Sequence, residues 1–240
     1  MRLSRLFSTA LALATGLALP ASATTLTVSA QSGWIFGGNG YAPATITETT
    51  LRPNGLRVYA GGFAVQGDLQ GTGSPQDFTA WCVDIATYLR LPSQYTTTAA
   101  PFASGPLSFA TITNIERLFE TGFKTLDLTN GDQSGGFQLA LWEVLYETSG
   151  HFDLNAGNFT ATNSTALFTG QTLLTGMSGH INQNYKLTFL QSDDTRAADG
   201  YYSQNLVTVA AVPLPAGGVL MIGGLGALAA LRRRKARKEV

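Results

Sequence analysis

Cysteine is almost missing from this 240-residue chain, which has Cys82 alone. An internal disulfide is therefore excluded. Histidine is nearly as scarce, with only His151 and His180. Without a second cysteine or a His-x-x-Glu-His spacing, a zinc site has little support. His151 reads as an ordinary loop histidine after a helix. Charge is sparse, at 12% of residues. No serine sits in a Gly-x-Ser-x-Gly elbow, and no acid–base or nucleophile–base pair stands out, so a secreted hydrolase ranks low. Asp193, Asp194 and Asp199 offer oxygen ligands for calcium, but not at EF-hand spacing, and a solvated turn is the preferred reading. No cofactor or metal is expected. There is no internal repeat.

The two ends carry what the middle lacks. Residues 1–23 combine Arg2 and Arg5, an apolar stretch from Leu6 to Leu19, Pro20, and the small-x-small site Ala21-Ser22-Ala23. That is the layout of a secretory signal peptide, with cleavage by signal peptidase expected after Ala23. Residues 212–240 begin with Val212-Pro213-Leu214-Pro215-Ala216, an extended leader because each proline fixes φ and disfavours helix before it. An uncharged stretch runs to Leu231, followed by Arg232, Arg233, Arg234, Lys235, Arg237 and Lys238. Val212 to Leu231 is 20 residues, close to the roughly 20 that span a bilayer as a helix. The basic block should remain cytoplasmic and leave the body outside. On physical grounds alone this is either an ordinary membrane anchor or a processed one.

Without both ends, the apparent neutrality of the chain disappears. The body, residues 24–211, keeps seven basic residues against 14 acidic ones, because only Glu239 leaves the acidic set. A body of net charge about −7 has no electrostatic footprint for nucleic acid or anionic membrane. Its length allows one domain with a real core.

Strand patterns open and close this body. Thr24–Ala30 alternates and is β-branched, Thr45–Leu51 follows, and Pro53-Asn54-Gly55 signals a turn. Leu56–Gln66 alternates again, with Gly61-Gly62 as an expected bulge. Asp77–Tyr88 is apolar and reads as a buried strand, and Gly33–Gly40 reads as a loop or short strand. Tyr185–Gln191 and Tyr201–Ala211 close the domain. The middle is helical. Ser108–Phe123 places Ile112, Ile115, Leu118 and Phe119 on one face. A second helix, capped by Asp132 or Ser134, runs to about Thr148, and a weaker third spans Asn163–Met177. The expected fold class is α+β: an antiparallel β-sandwich or barrel with a helical insertion, plus a C-terminal transmembrane sorting helix. Asn158-Phe159-Thr160 and Asn163-Ser164-Thr165 fit the N-glycosylation pattern and are given little weight.

An odd cysteine in an exported protein calls for an explanation. Three remain open: an inert core residue, as Trp81, Val83 and Ile85 around it suggest; an intermolecular disulfide; or a different covalent bond. The last has a candidate partner in Gln138. On a helix Gln138 lies beside Leu141 and Trp142, and a glutamine on an apolar face must find partners. A thiol can attack a glutamine carboxamide and expel ammonia, leaving a thioester. Free amides at the helix N-terminus would stabilise the developing oxyanion.

Two resemblances sharpen these readings. The Val-Pro-Leu-Pro-Ala leader, short apolar helix and arginine cluster together resemble the VPLPA type of the PEP-CTERM C-terminal sorting signals of Gram-negative bacteria. That implies a membrane-held intermediate, cleavage near Pro215–Ala216 by an exosortase-like membrane protease, and delivery to the cell surface or extracellular matrix. Cys82 in Ala-Trp-Cys-Val-Asp, followed by Gln138 and Trp142 in Gln-Leu-Ala-Leu-Trp-Glu, is similar to the thioester domains of bacterial surface adhesins. That resemblance implies a Cys82–Gln138 cross-link reactive toward surface amines, shielded from water by Trp142. The leading expectation is a non-enzymatic structural or adhesive component of the envelope or of extracellular polysaccharide. The alternative is a covalent adhesin built on the thioester.

Overall fold

The computed structural model describes residues 23–99, 101–102, 105–177, 179, 184–193 and 202–211, with the side chains of Ala210 and Ala211 left aside. All but the last residue of the expected signal peptide, residues 1–23, and the whole sorting segment, residues 212–240, with its expected transmembrane helix, lie outside the described residues. Among those described, no helix is long and apolar enough to cross a membrane.

The fold is α+β. The described residues form nine strands: β1 Thr25–Ala30, β2 Ala42–Glu48, β3 Arg52–Ala60, β4 Phe63–Gly67, β5 Gln76–Cys82, β6 Ser93–Thr98, β7 Phe159–Thr162, β8 Tyr185–Ser192 and β9 Leu206–Ala211. Six close into an antiparallel barrel in the order β1-β4-β5-β9-β8-β6. The other three form a separate sheet, β3-β2-β7. The helices are α1 Phe109–Leu118, α2 Gly131–Tyr146 and α3 Leu167–Gly176, with a π-helical turn over Phe119–Phe123 after α1.

Helix α2 is the axis of the domain. It contacts β5 of the barrel, all three strands of the small sheet, and both other helices. Ser134 through Val144 are consequently all buried. Gly136 permits the crossing with α3, since a Cβ there would lie 2.8 Å from the Gly170 amide nitrogen. The cap is Asn130, whose side chain accepts from the amides of Asp132 and Gln133 at 3.0 and 3.1 Å. Asp132 and Ser134 do not cap it. Ser134 points inward and accepts from the Gly62 amide at 3.0 Å.

Several strand boundaries depart from the sequence reading, each for a local reason. Pro53-Asn54-Gly55 lies inside β3 rather than in a turn. β3 is the edge of its sheet, where a missing N–H is tolerated, and the register with β2 shifts between Ile46 and Glu48. The chain reverses just before it, where the Glu48 carboxylate accepts from the amides of Thr50 and Leu51. Leu56–Gln66 is two strands in different sheets, not one bulged strand. Gly61-Gly62 forms the corner, and a Cβ at Gly62 would meet Thr79 Cγ2 at 2.6 Å. The buried strand ends at Cys82, and Val83–Tyr88 continues as a loop. β9 starts at Leu206 rather than Tyr201. β6 and β7 are strands that alternation did not single out. Tyr95, fully buried, is the one anchor that the polar β6 offers the core.

Candidate functional site

β5 ends in three consecutive buried residues, Ala80, Trp81 and Cys82. Neighbouring strand residues face opposite sides, so both faces are covered here. The Trp81 ring packs 4.5 Å from that of Phe137 on α2, and this aligns the helix with the strand end. Gln138, the next residue, then meets Cys82. Its Oε1 accepts from the Cys82 amide at 2.9 Å, and its Nε2 donates to the Cys82 carbonyl at 2.9 Å. Two bonds to one residue hold the carboxamide plane in place, and Gln138 is only 1% exposed.

The thiol is also held. Cys82 Sγ accepts from the Asp84 amide at 3.3 Å and donates to the Asp84 carbonyl at the same distance. Burial pushes the thiol pKa up to about 12, while the Asp84 amide and the Trp142 indole work in the opposite direction. The indole N–H of Trp142 makes no well-formed hydrogen bond of its own, which leaves it to act on the sulfur. One turn further along α2, the Tyr146 hydroxyl donates to the Val83 carbonyl and accepts from the Ile85 amide, each at 3.1 Å. Gln138, Trp142 and Tyr146, spaced by four, thus follow Cys82 to Ile85 residue by residue.

The three residues expected to form a site therefore come together: Cys82, Gln138 and Trp142 line one cavity of about 270 Å³. Its walls are mostly apolar, with Ile35, Phe36, Leu56, Val58, Phe63, Ile85 and Leu89 among them. The expected oxyanion stabiliser is different, however. Gln138 is the eighth residue of α2, past the free amides of the first turn, and its oxygen is held by the Cys82 amide instead. That donor is directed at the carbonyl from which a tetrahedral intermediate would form.

Two residues of the site were missed. Tyr146 was detectable, being four residues after Trp142 on the same helix. Gln204 was not, because it reaches the cavity from the loop before β9, which has no pattern. Its Nε2 donates to the Thr87 carbonyl at 2.8 Å, and its buried Oε1 has no partner among the described residues. A second polar centre lies elsewhere on α2. Glu143 is fully buried, and burial raises its pKa to about 7 even though it accepts from the Asp153 amide at 2.8 Å.

Of the remaining candidates, His151 and Asp193 are among the described residues, and neither lines the cavity. His151 is exposed in a loop, its amide bonded to Ser149 Oγ. His180, Asp194 and Asp199 lie outside the described residues, and among those described no three metal-ligating side chains cluster. No protein-family model, curated protein or solved structure matches the chain.

Proposed function

We propose that this chain is an exported surface or matrix protein that attaches to its surroundings covalently, through an internal thioester between Cys82 and Gln138. The reciprocal pair of 2.9 Å bonds between the Gln138 carboxamide and the Cys82 backbone carries this reading. It holds the Gln138 carboxamide against the backbone of Cys82, at the wall of a mostly apolar cavity that both residues line. The sulfur bonds to the Gln138 acyl carbon, the carbon–nitrogen bond breaks, and ammonia leaves with the thiol proton. The Cys82 amide stabilises the oxyanion. Trp142, only 4% exposed, keeps water from the product. An amine entering the cavity then takes over the acyl group and frees the thiol. Each molecule reacts once, so the role is adhesive and not enzymatic.

The ends of the sequence supply the address in this proposal. The leader exports the chain, and the apolar segment holds the intermediate in the membrane. An exosortase-like protease cuts near Pro215–Ala216 and releases the body to the cell surface or matrix. The arginine block keeps the tail cytoplasmic until then.

A second reading rests on a specific observation. Both polar atoms of Gln138 are satisfied, and the raised thiol pKa keeps Cys82 protonated and a weak nucleophile. Gln138 would then be a structural clamp at the end of β5. Thiol titration in denaturant separates the two. The thioester predicts no titratable thiol in fresh protein and one after methylamine, whereas the clamp predicts one thiol in both.

A further inference from the structure

We infer that the acceptor for this bond is the primary amine of an amino sugar in an extracellular polysaccharide; the inference rests on the thioester reading and specifies its substrate. Four observations point there. The mouth of the cavity is aromatic. Tyr59 and Tyr88 line it while remaining 57% and 63% exposed. Tyr41 packs edge-on against Tyr59 at 5.2 Å, and Trp34 lies 6.1 Å from Tyr41, so the row continues across the surface. Such a patch marks a binding surface, and the flat C–H faces of pyranose rings match aromatic faces.

The lining also selects the nucleophile. It holds no histidine, aspartate or glutamate. A sugar hydroxyl needs a general base to attack a thioester, whereas a neutral amine does not. Arg57 is the only charged side chain in the lining. A lysine ammonium would meet a cation and no anion there, and the apolar wall disfavours its charge. The amine of an amino sugar is less basic, because the neighbouring hydroxyl and acetal oxygens withdraw electrons, and more of it is neutral. Finally, Gln204 belongs to the same lining, and its buried Oε1, without a partner among the described residues, would become an acceptor for an N–H of the incoming amine once that side chain turns toward it. The nitrogen bonds to the Gln138 acyl carbon, the carbon–sulfur bond breaks, and a proton from the nitrogen passes to the Cys82 sulfur. The product is a substituted amide with a free thiol.

The test is intact mass against time for the mature protein with methylamine, a fully deacetylated glucosamine trimer, its N-acetylated form, and a lysine tripeptide, each at equal concentration. The glucosamine trimer should add about tenfold faster than the lysine peptide, the equivalent of one or two aromatic stacking contacts. The N-acetylated trimer should not add. Trp34→Ala and Tyr59→Ala should each lower the ratio of the glucosamine-trimer rate to the methylamine rate. Methylamine addition without any preference for the glucosamine trimer would overturn this inference and leave the thioester standing. Addition of the N-acetylated trimer would mean a hydroxyl acceptor and would also overturn it. No methylamine addition at all would remove the thioester, and this inference with it.

Discussion

Replacing Cys82 with serine separates a cross-link from a clamp by magnitude. The two residues are 56 apart in sequence. Closing a loop of that size by a covalent bond removes about 4 kcal/mol of unfolded-state entropy. Cys82→Ser abolishes the cross-link but little else. Gln138 keeps its carboxamide in the variant, so both of its bonds to the backbone of residue 82 are made there. The serine hydroxyl can take over the two 3.3 Å contacts to Asp84, leaving a side-chain cost of about 1 kcal/mol or less. For a domain of this size each kcal/mol moves Tm by about 2–4 °C. The thioester therefore predicts a fall of about 8–16 °C, measured by differential scanning calorimetry on fresh protein. A shift within about 3 °C would refute the cross-link, because only the side-chain term would have been lost.

Three further outcomes are expected. Glu143 has a folded pKa of about 7 against an ordinary 4.5, so the folded state binds its proton more tightly than the unfolded state. Stability contributed by the protonated carboxyl is lost as pH rises between those values. Thermal melts should show wild-type Tm falling from about pH 5 to about pH 8 and a flatter profile for Glu143→Gln, which keeps the acceptor for the Asp153 amide; an unchanged slope would exclude Glu143 as the cause. Tyr146→Phe removes the partner of the Val83 carbonyl and the Ile85 amide and should cost about 1–3 kcal/mol by denaturant unfolding. Trp142→Ala should cost about 3–5 kcal/mol and shorten the lifetime of the thioester in water, read as thiol released over hours; an unchanged release rate would show that Trp142 does not shield the bond.

How far the sequence could be read depended on whether the information was local. β1 and β8 follow β-branched or apolar alternation that one strand can display alone. α1 and the π-helical turn after it show one face in Ile112, Ile115, Leu118 and Phe119. β6 was illegible because Ser-Gln-Tyr-Thr-Thr-Thr has a single core residue. The Pro-Asn-Gly signal misled because its cost depends on being at a sheet edge, which only the strand order reveals. Phe137, Ala140, Leu141, Val144 and Leu145 read as the buried side of α2, but Gln138, Leu139, Trp142 and Glu143 between them are buried too, and Leu145 only partly.

The candidate site divides in the same way. Cys82 and Gln138 were legible as an odd thiol and a glutamine in an apolar helix, each a local anomaly. That the Cys82 amide holds the Gln138 oxygen was not, because it requires the strand to end where the helix passes. The aromatic mouth combines residues from three separate segments and exists only after folding.

The most direct test of the account is the intact mass of the purified mature protein before and after methylamine. The account predicts a mass one ammonia below that of the sequence, rising by one methylamine on treatment as the thiol is freed. A full sequence mass that methylamine leaves unchanged would contradict it, and Gln138 would then be a clamp holding the end of β5 to α2.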